Sequence, residues 1–196
     1  QGKKILFWPT QTHDRIMSRN GENERNNDAV FSALGKNPDW FLLIKFHPME
    51  DEEASKEFYK KYAEKHEARN YRILHYDEEE TTKCLLLADA TILKHSTVGM
   101  ESMLLGTPVI NFELMTTHSL EQYKELESQL IIRKKNNLDT FLKRIPTKEY
   151  QELFKKSRKK YCDEHFANFG HATEAFVSFL KEITKKKSQN LKERSE

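Results

Sequence analysis

Six short apolar runs, each bounded by turn or charged residues, constrain the fold of this chain more than any other feature: Lys4–Trp8, Trp40–Phe46, Tyr71–Tyr76, Ala90–Lys94, Pro108–Phe112 and Leu130–Lys134. Runs of this length that are apolar on both faces suit strands covered from both sides, as in the centre of a parallel sheet. The segments between them are polar and carry helical spacing. "EEASKEFYKKYAEKH" sets Ala54, Phe58 and Tyr62 on one stripe, and "TTKCLLLAD" leads into the fourth run. This alternation predicts an α/β chain, a three-layer Rossmann-like doubly wound parallel sheet of about six strands.

After the sixth run only helical patterns follow, which predicts extra C-terminal helices. In the last, Ala172, Phe176, Phe179, Leu180 and Ile183 form an apolar stripe, read as a helix packed on the sheet. From Lys185 onward the chain is polar and basic. The expected organisation is one domain over residues 1–184 and a basic flexible tail over 185–196, because 196 residues are enough for one full core and short for two.

A net charge of +2 gives no chain-wide field of the kind that draws nucleic acid, so no nucleic-acid partner is expected. The two cysteines, Cys84 and Cys162, are far apart and lack metal-ligand spacing, which points to a reducing, cytoplasmic compartment and to no metal. No run is long enough to span a bilayer, and the opening "QGKKILFWP" lacks a signal-peptide core. The missing initial Met suggests a processed chain or an excised domain. Lys185, Lys186 and Lys187 could make peripheral contact with the inner face of a membrane.

In an open parallel sheet, ligands bind beyond the carboxyl ends of the strands, so the polar residues that follow each run are the candidates for function. After the first run, "PTQTHDR" offers Thr10, Thr12, His13 and Arg15, either to a ligand or as an ordinary connection. After the second, "KFHPMED" holds His47 at the strand end, and Pro48 keeps the backbone before it extended. An imidazole presented there can donate to a phosphate oxygen or transfer a proton; the alternative is a capping histidine in a turn.

After the fourth run comes His95-Ser96-Thr97. Ser96 or Thr97 suits the N-cap of a helix running to about Leu105, with Gly106 as its stop and Pro108 beyond. The first N–H groups, the hydroxyls and the helix dipole would converge on one anion. Glu101, one turn further on, would face the same crevice and suit ribose hydroxyls; the alternative is plain capping and a solvated carboxylate. Glu113, Thr116, Thr117 and His118, after the fifth run, are further candidates for contact with a donor or acceptor.

With "KILFWPT", "KFHP", "ADATILKHSTVGMESMLLGTPVINF" and "GHATEAFVSFLKEI" in this order, the chain resembles the C-terminal, nucleotide-binding half of GT-B fold glycosyltransferases. It looks most like the branch with CDP-glycerol glycerophosphotransferases, capsule polysaccharide transferases and UDP-N-acetylglucosamine 2-epimerases. The resemblance implies that His47, Ser96 and Thr97 bind the nucleotide diphosphate, with His95 and Thr10 beside them, and that Glu101 binds the ribose. It implies a CDP- or UDP-linked donor as substrate, no resident cofactor, His47 stabilising the leaving phosphate, and transfer of a sugar or glycerol-phosphate unit to a cell-envelope polymer. The epimerases carry a double glycine where Thr97 and Val98 stand here, which weighs against the epimerase alternative. A non-catalytic nucleotide-binding module is a further alternative. Such transferases need a second Rossmann-like acceptor domain, in the same chain or a partner's.

Overall fold

The computed structural model describes residues 2–10, 21–94, 96–114, 126–166, 168 and 170–193. Six strands form one sheet: β1 (Lys4–Pro9), β2 (Trp40–Lys45), β3 (Tyr71–Leu74), β4 (Ala90–Leu93), β5 (Val109–Phe112) and β6 (Leu130–Ile132). Their order is β3-β2-β1-β4-β5-β6 and every pairing is parallel, with Leu6 opposite Leu42 on one side and Ala90 on the other. All six apolar runs contain strands; β4, β5 and β6 are buried along their whole length, as a two-sided sheet requires, whereas the edge strand β3 leaves Arg72 exposed and buries only Leu74. The three-layer Rossmann-like expectation is met.

The helices are α1 (Glu22–Lys36), α2 (Glu52–Lys65), α3 (Thr81–Leu87), α4 (Val98–Leu105), α5 (Asn137–Arg144), α6 (Lys148–His165) and α7 (Ala172–Glu193). α1 packs against α2 and α5 on one face of the sheet, and α3 packs against α4 on the other. The chain therefore changes faces between β1 and β4, whose carboxyl ends flank the switch point where such sheets bind ligands.

Local chemistry sets the helix ends. Asp51 caps α2 by accepting from the Ala54 N–H at 3.2 Å. Gly106 ends α4 with φ +90°, a left-handed geometry that a glycine adopts without strain, and Thr107 N–H closes back on Ser102 O at 2.9 Å. Asp28 on α1 ties three elements together: Lys65 and His66 each lie 2.7 Å from it, and Lys135 completes the cluster. Burial alone would raise the Asp28 carboxyl, but the hydrogen bonds from Lys135, Lys65 and His66 outweigh it and hold it well below the usual carboxylate range.

The interior tolerates little added volume where α1 meets the end of α2. A Cβ on Gly35 would lie 2.5 Å from the His66 carbonyl oxygen, a backbone atom. In an exposed helix, Gly→Ala gains about 1 kcal/mol, whereas overpacking costs about 1–3 kcal/mol. Gly35→Ala is therefore expected to lower stability by about 1–2 kcal/mol in urea unfolding, opposite in sign to the propensity effect.

The chain divides into two compact units, Gln1–Lys159 and Lys160–Glu196. The first holds the sheet. In the second, Tyr161 stacks on His165 with ring centroids 4.5 Å apart, and α7 runs through Lys185 to Glu193. Along α7, Phe176 is 60% accessible, and Phe179, Leu180 and Ile183 are exposed too. Periodicity correctly shows an amphipathic helix; it carries no information about what covers the apolar face.

Candidate functional site

The carboxyl end of β2 leads straight into a tight turn. Glu50 N–H donates to His47 O at 2.9 Å, with Pro48 at the second position, where its fixed φ suits the turn. The Met49 N–H donates to His47 Nδ1 at 3.2 Å. A ring nitrogen that accepts carries no proton, so a ring making this bond holds its N–H at Nε2. His47, half-buried, thereby has an Nε2–H donor left for a partner outside the turn.

Glu50, which the sequence reading overlooks, organises this turn. Its Oε2 accepts from the Thr10 hydroxyl and, at 3.4 Å, from the His47 N–H, while its Oε1 accepts from the Tyr59 hydroxyl at 3.4 Å. Thr10, buried at the end of β1, also receives the His47 N–H at 3.1 Å, and its own N–H donates to Lys45 O at 2.9 Å. The Thr10 side chain is thus committed to joining the ends of β1 and β2 and to holding the His47 main chain.

Beyond β4, the Ser96 hydroxyl accepts from the Val98 N–H at 3.2 Å, and α4 begins there. Thr97 occupies the cap position, is exposed, and its hydroxyl makes no capping bond. Glu101 is exposed one turn on, its N–H donating to Thr97 O at 3.3 Å. α4 is fixed from behind. The buried Ser102 hydroxyl donates towards Thr91 Oγ1 at 2.9 Å, and Arg158 donates through Nε to Met103 O at 2.8 Å and also to Leu104 O. β2 and β4 flank β1, so the strands that lead into the His47 turn and into α4 lie about 10 Å apart, two strand spacings, across the switch point. That span suits an extended polyanion.

Two buried lysines share this edge. Lys45 donates to Tyr76 O, and Lys94 pairs with Glu22 on the first turn of α1 at 2.9 Å. Neither was singled out in the sequence; Lys94 and Glu22 are 72 positions apart, and nothing in periodicity joins them. Glu113 pairs with Arg133 at 3.3 Å beyond β5 and β6. His13, His95, Thr117 and His118 lie outside the described residues. Away from the edge, burial pushes the Cys84 thiol up, which suits a core residue and not a nucleophile.

The sheet order, the switch point and the polar strand ends together define a Rossmann-like α/β protein with its candidate site at the crevice between β1 and β4. The chain belongs to the capsule polysaccharide biosynthesis protein family, whose model matches residues 2–116. No curated protein matches the sequence. Among solved structures it is similar to TarM of S. aureus, in complex with fondaparinux, α-GlcNAc-glycerol and UDP, at 15% identity and a TM-score of 0.61, covering 87% of this chain and 34% of that one. It is similar to HepE of Anabaena, in complex with UDP and glucose, at 10% identity and a TM-score of 0.61, over 96% of this chain and 49% of that one. A protein from Listeria monocytogenes assigned as a UDP-N-acetylglucosamine 2-epimerase matches at 15% identity and a TM-score of 0.56, over 80% and 39%. These likenesses show a shared fold, that of the GT-B glycosyltransferases and the epimerases. The chain spans less than half the length of each of these proteins. Among the described residues no helix is long and apolar enough to cross a membrane.

Proposed function

We propose that this chain is the donor-binding half of a GT-B transferase that moves a sugar or glycerol-phosphate unit from a CDP- or UDP-linked donor to a cell-envelope polysaccharide or teichoic-acid-like acceptor. The observation that carries this reading is the pair of donor groups across the switch point, His47 Nε2–H in its turn and the N-terminus of α4 with Ser96 and Thr97. Donors fixed in place before the reaction stabilise charge that builds on a leaving phosphate without reorganising. In this reading His47 meets that charge, Glu101 holds the ribose, and no resident cofactor takes part. A second Rossmann-like domain, in the same chain or a partner's, brings the acceptor. The complete enzyme works in the cytoplasm, with Lys185, Lys186 and Lys187 available to the inner membrane face.

The family match and the UDP complexes of TarM and HepE support the reading. The Listeria protein keeps an epimerase in view as the second reading. Calorimetric titration of the chain with CMP, CDP, UMP, UDP and GDP is the test. One nucleoside diphosphate is expected to bind more tightly than its monophosphate, and Glu101→Ala is expected to weaken it. Absence of binding by all five would sink the donor-site reading, and a product epimerised from a UDP-sugar without any acceptor would replace transfer with epimerisation.

A further inference from the structure

The buried pair of Lys94 and Glu22 has no part in the reading so far. Lys94 is 6% accessible and Glu22 1%, and the two meet at 2.9 Å where β4 and the first turn of α1 face the switch point. Strand alternation puts Lys94 on the α1 side of the sheet, where it meets Glu22, whereas Thr91 faces α4 through Ser102, so the pair stands on the opposite face from α4 at the end of the same strand.

Two features set this pair apart from a structural clamp. Taking both charges out of water costs more than a well-packed apolar pair would, so stability alone gives little reason for it. Moreover, among the described residues Glu22 Oε1 is buried without a hydrogen-bond partner, although its twin oxygen holds the lysine. Asn26 Oδ1, one turn along α1, is buried and unpartnered as well. A carboxylate oxygen left this way lacks an O–H or N–H donor. A lysine ammonium carries three N–H groups, and among the described residues Glu22 takes one.

We infer that the Lys94–Glu22 pair is a subsite for the junction between phosphate and transferred group. Lys94 donates to a phosphate oxygen of the donor, and Glu22 fixes the ammonium through Oε2 while Oε1 accepts a hydroxyl of the transferred sugar or glycerol. The ligand class is a phosphate ester with a free hydroxyl close to the phosphate. The inference rests on the donor-site reading given above.

The test uses the 196-residue chain with Lys94→Met and Glu22→Leu combined, an apolar replacement that such pairs often tolerate without loss of stability. Thermal midpoints and affinities are measured with UDP, CDP, UDP-glucose and CDP-glycerol. The expected result is a midpoint equal to or above that of the unaltered chain, affinity for the bound nucleotide lower by about tenfold or more, and a larger loss for its donor. Lys94→Gln, which keeps a hydrogen-bond donor for Glu22 without the charge, should lower affinity for nucleotide and donor alike and serves for the phosphate contact if the double variant does not fold. Unchanged affinity in a folded variant overturns the subsite while leaving the donor-site reading intact. Equal losses for nucleotide and donor in the double variant overturn the hydroxyl contact at Glu22. If the unaltered chain binds none of the four, the donor-site reading falls and this inference with it.

Discussion

His47→Ala is expected to cut nucleotide affinity of this chain about 10- to 100-fold and, on the proposed transferase reading, turnover of the whole protein by about 100- to 1,000-fold, with the thermal midpoint little changed. The first range is the worth of one hydrogen bond to a charged partner, and the second is the worth of one preorganised donor to charge developing in a transition state. Stability should hold because the bonds made by the His47 main chain, Glu50 N–H to His47 O and His47 N–H to the Thr10 hydroxyl, need no imidazole. His47→Gln separates the two chemistries open to the ring. A glutamine amide can supply an N–H in place of Nε2–H but cannot pass a proton near neutral pH, so recovery of most of the turnover by Gln assigns hydrogen-bond donation. Recovery of affinity without turnover assigns proton transfer. Full activity of His47→Ala would remove the residue from the site altogether.

What the sequence discloses about this edge follows from which interactions are local. The strands were legible because a two-sided sheet demands runs apolar on both faces, and α4 was legible because Gly106 and Pro108 punctuate its end within a few residues. His47 stood out through its neighbour Pro48. Glu50 did not, although it is only three residues on, because its bonds to Thr10 and Tyr59 join three separate segments. Lys94 and Glu22 were invisible for the same reason: within an apolar run, a terminal lysine reads as the strand's boundary, and its partner is known only once α1 is folded over the sheet. The stripe on α7 is the converse case. Its spacing is local and marks an amphipathic helix, whereas the partner of an apolar face is a tertiary matter that no spacing encodes.

The core and the candidate site are joined through one aromatic cluster, and Trp8→Ala should expose that link. Trp8, at the end of β1 and 3% accessible, lies 5.6 Å from both the Tyr59 and the Phe112 rings. Tyr59 in turn stacks on Phe46 at 6.1 Å and donates its hydroxyl to Glu50, which holds the His47 turn. Truncating so large a buried side chain costs about 3–5 kcal/mol, from a total of about 5–15 kcal/mol for an ordinary domain. Denaturant unfolding should show a loss of that size, largely recovered in Trp8→Phe, which retains a ring against both neighbours. Affinity measured well below the variant's midpoint should fall as well, because Tyr59 gains room to leave Glu50. Leu142→Ala makes the control cavity: Leu142 is buried in α5, and its carbonyl accepts from Trp40 Nε1 at 3.1 Å at the opposite end of the strands. A comparable loss of stability there with unaltered nucleotide affinity would show that the aromatic cluster positions the His47 turn, whereas equal losses of affinity in both variants would mean that binding tracks global stability and the cluster has no special tie to the site.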